Sequence, residues 1–305
     1  MSAATPSVKV IYISGATRSG STILTQMLGE LDDSFAPGEL RLIWERSFLR
    51  NDLCGCGEPF RSCPTWQQVV NDAFDGPDGV DPCAMIAHQP RLRHLPLMLM
   101  GGDSARVQRA FGPYLTMLDR FYRSIGEVTQ SRVIVDSSKS PMYGFLLNLL
   151  PSVDLYVVHL VRDPRGVQYS RMRRRQRGAL NGRRAGIAVS ALMWNLRNGV
   201  QEILTRRSGQ PYLRIRYEDL IASPLQTIEA IKTFITEPTI GLPEIGDGEI
   251  RLRPNHSIAG SDTRADIGVV RLRVDAAWRT GLERRRRVLV TALTYPFLRR
   301  YGYSR

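Results

Sequence analysis

Lysine is scarce in this chain of 305 residues. Of its 42 basic side chains only Lys9, Lys139 and Lys232 are lysines, so arginine is the default cation and a lysine inside a motif carries information. No run of 18 apolar residues occurs, which argues against a spanning helix. The opening residues pass directly into a strand pattern, without the charged segment and long apolar core of a secretory leader. Cysteine is limited to Cys54, Cys56, Cys63 and Cys83, all within 30 residues. One residue separates Cys54 from Cys56, short of the usual zinc-knuckle spacing, so no metal is assigned; free thiols or a disulfide remain open. With 43% hydrophobic and 23% charged residues, the composition excludes a disordered chain.

What is present is positive charge. The net charge of +13 invites anionic partners: nucleic acid, acidic lipid or phosphorylated small molecules. Residues 162–184 hold nine arginines and one aspartate, so basicity is concentrated in one segment. The run 171–184 reads first as a solvated helix face, with an anionic-acceptor guide or a membrane-surface patch as alternatives. No aromatic-rich or helix-turn-helix pattern accompanies it, which argues against nucleic acid.

Periodicity gives the fold class. VKVIYIS (8–14) reads as a buried strand, and Ile23, Leu24, Met27, Leu28 and Leu31 recur at helical spacing. Further strands are expected at 132–136, 154–161 and 211–220, with helices over MYGFLLNLL, 224–235 and 282–300. The last carries Val288, Leu289, Leu293 and Leu298 as its apolar face. Alternation of this kind predicts an α/β fold, a mostly parallel central sheet covered on both faces, with ligands at the carboxyl ends of the strands. Residues 45–130 interrupt the alternation as a helical, loop-rich insertion within a single domain spanning 1–305. Trp44, Phe48, Phe60 and Trp66 either line a pocket there or pack a core.

Between the first strand and its helix stands GATRSGST (15–22). Such a loop aims backbone N–H groups and the positive end of a helix at an oxyanion. An ATPase loop has lysine directly after its second glycine; that position is Ser21, and the only cation in the loop is Arg18. A magnesium-dependent kinase is thereby disfavoured.

RSGST after a first strand resembles the 5′-phosphosulfate loop of sulfotransferases that use 3′-phosphoadenosine 5′-phosphosulfate (PAPS). HLVRDPRGVQYS, with Arg162 at the strand end and Ser170 eight residues later, resembles the 3′-phosphate motif of the same family. RYEDL (216–220) also recurs there and reads as scaffold. The resemblance is to bacterial members, closer to the carbohydrate- and tyrosine-directed branch than to the cytosolic branch with a histidine base. It implies a P-loop-like three-layer sandwich, a metal-independent transfer, and PAPS held by Arg18, Ser19, Gly20, Ser21, Thr22, Arg162 and Ser170. It implies a hydroxyl acceptor on a carbohydrate, lipid, glycolipid or other small molecule. The opening residues, the free-thiol reading of the cysteines and the arginine run, by themselves, suggest a cytoplasmic protein with peripheral contact to an anionic inner membrane face.

Sulfuryl transfer needs cations on the leaving phosphate and the sulfonate, and a base for the acceptor proton. Arg18 and Lys139, the latter in DSSKSP after the second strand, supply the cations. Glu39, after Gly38, supplies the base by resemblance; an ion pair with Arg41 is its structural alternative. His159 reads as a packed core histidine and His256 as a contact for nucleotide or acceptor. NHSIAGSDTR (255–264) resembles a family segment HSxxGNPxR, which would place Arg264 on the 3′-phosphate; Ser261, Asp262 and Thr263 depart from that pattern.

Overall fold

The computed structural model describes residues 7–100, 104–176, 186–238, 240–246 and 248–303. Its strands are β1 (Val8–Ser14), β2 (Ser34–Gly38), β3 (Val133–Lys139), β4 (Val153–Val161), β5 (Tyr212–Arg216), β6 (Ile245–Gly246), β7 (Glu249–Leu252) and β8 (Gly268–Arg271). The helices begin with α1 (Ser21–Gly29), α2 (Pro64–Phe74), α3 (Pro82–His88), α4 (Leu95–Met100), α5 (Ser104–Thr129) and α6 (Pro141–Leu147). They continue with α7 (Pro164–Gln176), α8 (Ile187–Ser208), α9 (Tyr217–Ala222), α10 (Pro224–Phe234), α11 (Trp278–Gly281) and α12 (Arg284–Arg300).

Five strands form one parallel sheet in the order β2-β3-β1-β4-β5. Alternation along β1 sends its side chains into two cores. Val10 and Tyr12 join a cluster with α5, α6 and the 44–74 region, whereas Ile11 and Ile13 pack with Leu24, Met27 and Leu28 of α1 and Ile228 and Ile231 of α10. The result is the expected three-layer α/β arrangement, and it turns the carboxyl ends of all five strands towards one rim. A small antiparallel sheet, β6-β7-β8, follows the last crossover.

Four expectations shift. The strand expected at 132–136 continues through the serines to Lys139, so Lys139 ends a strand instead of sitting in a turn. The strand expected over 211–220 stops at Arg216, and YEDL opens α9. β2 was not anticipated: Pro37 and Gly38 hide it, and its edge position is what makes the proline tolerable. On α12 the buried residues are Val290, Thr294 and Leu298, while Val288 and Leu289 are exposed. Thr294 can be buried because its hydroxyl donates back to the Val290 carbonyl at 2.7 Å.

The aromatics of the 45–130 region are core. Trp44 and Trp66 are fully buried, and Trp44, Phe48, Phe74 and Phe121 form a contiguous ring cluster in the same core as Tyr12. They leave no ring free to line a pocket.

Candidate active site

The loop 15–22 is fixed by close packing at two glycines. Gly15 (φ 138°) lies so near the Leu160 carbonyl that a Cβ would collide with it, and a Cβ on Gly20 (φ 90°) would enter the Tyr217 ring. Gly20 also caps α1, with no side-chain cap to the helix's backbone N–H groups and no acidic residue in the first turn. The leading N–H groups of α1 are thus available to an anion. The buried Ser19 hydroxyl has no partner among the described residues, as expected of a donor waiting for one.

Two side-chain groups converge on this loop. On one flank, Arg18 Nε donates to Ser170 Oγ at 3.3 Å, and Arg162 Nη1 donates to the Arg18 carbonyl at 3.1 Å. Arg162, 5% exposed, lies 4.3 Å above the Tyr217 ring and pairs with Asp275 at 3.1 Å. Its sequence neighbour Asp163 pairs instead with Arg165, at 2.7 Å. Arg171 reaches Thr17 Oγ1 at 2.6 Å and Ser190 Oγ at 2.5 Å. Burial, then the charges of Arg197, Arg175 and Arg18, bring its pKa down to about 10.

On the other flank, Lys139 Nζ stands 2.6 Å from Glu39 Oε1 and donates to Ser21 Oγ at 3.3 Å. The β2–β3 register places Gly38 beside Asp136, which brings these two strand ends together. Arg41 does not pair with Glu39; its guanidinium donates to Gln89 Oε1 at 3.1 Å. Both loop cation and strand cation sit at left-handed backbone, Arg18 at φ 73° and Lys139 at φ 63°. Such strain is found where surrounding structure over-determines a position. Below them Asp136 is fully buried, accepting from Tyr122 Oη at 2.5 Å and from Ser138 N at 2.8 Å. Burial raises its carboxyl to about 6.

Glu39 lines two cavities. One of about 680 Å³ runs from Thr22 and Gln26 along β2 to Asn255 and Arg264. The other, about 280 Å³, is bounded by Thr17, Arg41, Lys139, Met142, Met193 and Arg197.

The family model described as "Sulfotransferase family" matches residues 11–240 of this chain. The chain belongs to the sulfotransferase family. Its fold is also that of a sulfotransferase domain from the curacin biosynthetic pathway, with a TM-score of 0.50 at 20% identity over 96% of this chain and 99% of that one. The sulfotransferase domain of the Synechococcus PCC 7002 olefin synthase gives a TM-score of 0.48 at 21% identity, covering 97% of this chain and 96% of that one. The sulfotransferase STF1 of Mycobacterium tuberculosis H37Rv gives 0.43 at 16% identity, covering 76% and 68%. No curated protein matches the chain in sequence.

Several assignments made from the sequence fare differently in this sulfotransferase. Arg18, Ser21, Glu39, Lys139, Arg162 and Ser170 come together around one loop. Arg264 does not join Arg162 and Ser170: its guanidinium donates to the Leu53 carbonyl at 2.8 Å, and its own carbonyl accepts from Asn255 at 3.0 Å. His256 borders the larger cavity, but its ring nitrogens are engaged elsewhere, Nδ1 with the cysteine sulfurs and Nε2 with Thr65. His159 is core, bonded to Tyr212 Oη at 2.6 Å and Asn198 Oδ1 at 2.8 Å, and burial lowers its pKa to about 4. RYEDL is more than scaffold, since Tyr217 backs both Gly20 and Arg162.

Arg171, seen only as the start of the arginine run, and Arg197 were not assigned to the site, because in a chain with 39 arginines nothing distinguishes them; Arg41 entered only as a partner for Glu39. The 171–176 part of the arginine run continues α7, and 177–184 lies outside the described residues. Among the described residues no helix is long and apolar enough to cross a membrane.

Proposed function

We propose that the protein transfers a sulfuryl group from PAPS to a hydroxyl of a small-molecule acceptor. The observation that carries this reading is the two-sided loop: Arg18, Arg162 and Ser170 on one flank, Lys139 and Glu39 on the other. A buried arginine beside a hydroxyl suits the dianionic 3′-phosphate. Ser19, Ser21, Thr22 and the N–H groups around Gly20 suit the 5′-phosphosulfate, whose sulfonate the donor supplies for transfer. Lys139, already beside Ser21, is placed to neutralise charge that builds on the leaving oxygen. Glu39 would take the acceptor proton once the incoming groups part it from Lys139. None of these roles calls for magnesium.

The acceptor hydroxyl is assigned to the smaller cavity, because it contains Thr17, Lys139 and Glu39 together. Exposed Leu192, Met193 and Leu196 on α8 continue its wall outward. That suits an acceptor with an apolar tail, such as a lipid or glycolipid, and the excess of arginine suits approach to an anionic membrane face.

Calorimetry with 3′,5′-adenosine bisphosphate in magnesium-free buffer tests the donor. Tight binding is expected, weakened at least about tenfold in Arg162→Ala, as for loss of a charge-assisted contact. Heat for ATP with magnesium and none for the bisphosphate would replace this reading with a kinase.

A further inference from the structure

The fold gathers three of the four cysteines and one histidine into a cluster that the transfer chemistry does not use. Cys54, Cys56, Cys63 and His256 place their ligand atoms within 4.8 Å of one another. Cys56 and Cys63 sulfurs are 3.7 Å apart, and His256 Nδ1 is 3.3 Å from the Cys63 sulfur and 3.7 Å from that of Cys54. A tetrahedral zinc ion has Zn–S bonds of about 2.3 Å and Zn–N bonds of about 2.0–2.1 Å. Its edges are therefore roughly 3.8 Å between sulfurs and roughly 3.6 Å from sulfur to nitrogen. These three separations lie within about 0.3 Å of those edges, and the remaining pairs of ligand atoms lie within 4.8 Å.

The surroundings are those of a ligand set held in place. Cys54 N donates to the Glu58 carbonyl at 2.8 Å and Gly57 N to the Cys54 carbonyl at 3.0 Å, closing a tight knuckle with a bridge between Leu53 and Pro59. Gly55 is required between the first two cysteines, since a Cβ there would run into the Asn255 side chain. Cys63 opens α2, and Trp66 on the first turn fixes the histidine backbone, its Nε1 donating to the His256 carbonyl at 2.9 Å. The second imidazole nitrogen meets Thr65 Oγ1 at 3.3 Å, the outer-shell partner that orients a metal-bound histidine. Spacing along the chain conceals this arrangement, because the fourth ligand lies 193 residues beyond Cys63.

We infer that Cys54, Cys56, Cys63 and His256 bind one structural zinc ion, which ties the knuckle to the 255–264 strap. Three thiolates and an imidazole are a closed set, with no open position for a substrate. The strap borders the larger cavity: Ile258 N donates to the Pro37 carbonyl at 2.9 Å, Glu39 N to that of Ala259 at 3.2 Å, and Asn255, Ser257 and Arg264 line the wall. The metal would thus shape that wall, while none of its four ligands is a group given a role in the transfer. Cys83, exposed and outside the cluster, takes no part.

Metal analysis of the full-length protein tests this without reading transfer or donor binding. One zinc per chain is expected to survive gel filtration, to fall at least tenfold in Cys56→Ser, and to stay in Cys83→Ser. Replacement by cobalt(II) in the wild-type chain should give tetrahedral visible bands with thiolate-to-metal charge transfer. Removing zinc with a strong chelator should speed hydrogen exchange in 255–264. A metal-free chain that takes up neither zinc nor cobalt, a Cys56–Cys63 disulfide in the mass spectrum, or octahedral cobalt without charge transfer would each overturn the inference.

Discussion

Glu39 and Lys139 neutralise each other at 2.6 Å, with side chains only 16% and 10% exposed. Substituting either one leaves the other short of a partner, so the conservative amide is the informative change. Glu39→Gln keeps the shape and an acceptor oxygen for Lys139 but cannot take a proton. Transfer is expected to fall by about 10²–10⁴, the usual worth of a positioned base, while affinity for the adenosine bisphosphate changes little. Single-turnover transfer beside calorimetry separates the two, and undiminished transfer removes Glu39 from the chemistry. The sequence disclosed this residue because a glycine and a family-like position marked it. It disclosed Arg18, Arg162 and Ser170 because each motif is local to a strand–turn–helix, β1–α1 for Arg18 and β4–α7 for Arg162 and Ser170. It could not disclose the partners of Arg264 and His256, whose contacts are made across the fold by loops that have no period to read.

Elements were legible where apolar residues recur and obscure where they do not. β1, β4 and α1 follow from their hydrophobic patterns, and the parallel sheet follows from their alternation. β2 has only five residues, two of them Pro37 and Gly38, yet it delivers Glu39 to the rim. Its end is locked to the strap: Gly38 has φ 88°, and a Cβ there would lie 2.6 Å from the Ala259 carbonyl oxygen. Gly38→Ala therefore combines left-handed backbone with a collision against main chain. A loss of about 1–3 kcal/mol in urea denaturation is expected, with larger sensitivity of 255–264 to proteolysis. A loss under about 0.5 kcal/mol, the scale of an ordinary surface change, would mean that the strap yields and that β2 does not hold it. On α12 the opposite failure occurs. Apolar residues at 288, 289, 290 and 293 allow two phases, and the true one runs through Thr294, which looks polar until its hydroxyl is seen to bond within the helix.

For the whole molecule, two buried groups set opposing responses to pH. Burial holds the Asp136 carboxyl up at about 6. Folding then favours its protonated form, a contribution present in full below the ordinary carboxylate value and lost as pH rises through about 6. Burial holds His159 down at about 4, so folding favours the neutral ring, a contribution present above about 6.5 and lost as pH falls towards 4. Each is worth on the order of 3 kcal/mol, and between those limits they offset one another. Asp136→Asn removes the first and leaves the second. The amide can still accept from Ser138 N, so the site above it keeps its support. Relative to the wild type, the variant should be most favoured at about pH 7.5, and that advantage should shrink by about 3 kcal/mol on going to about pH 4. The net positive charge of the chain enters both proteins alike and cancels from the difference. Urea denaturation of both across this range measures it, and a difference that stays constant with pH would show that Asp136 carries its charge in the fold as it does in water.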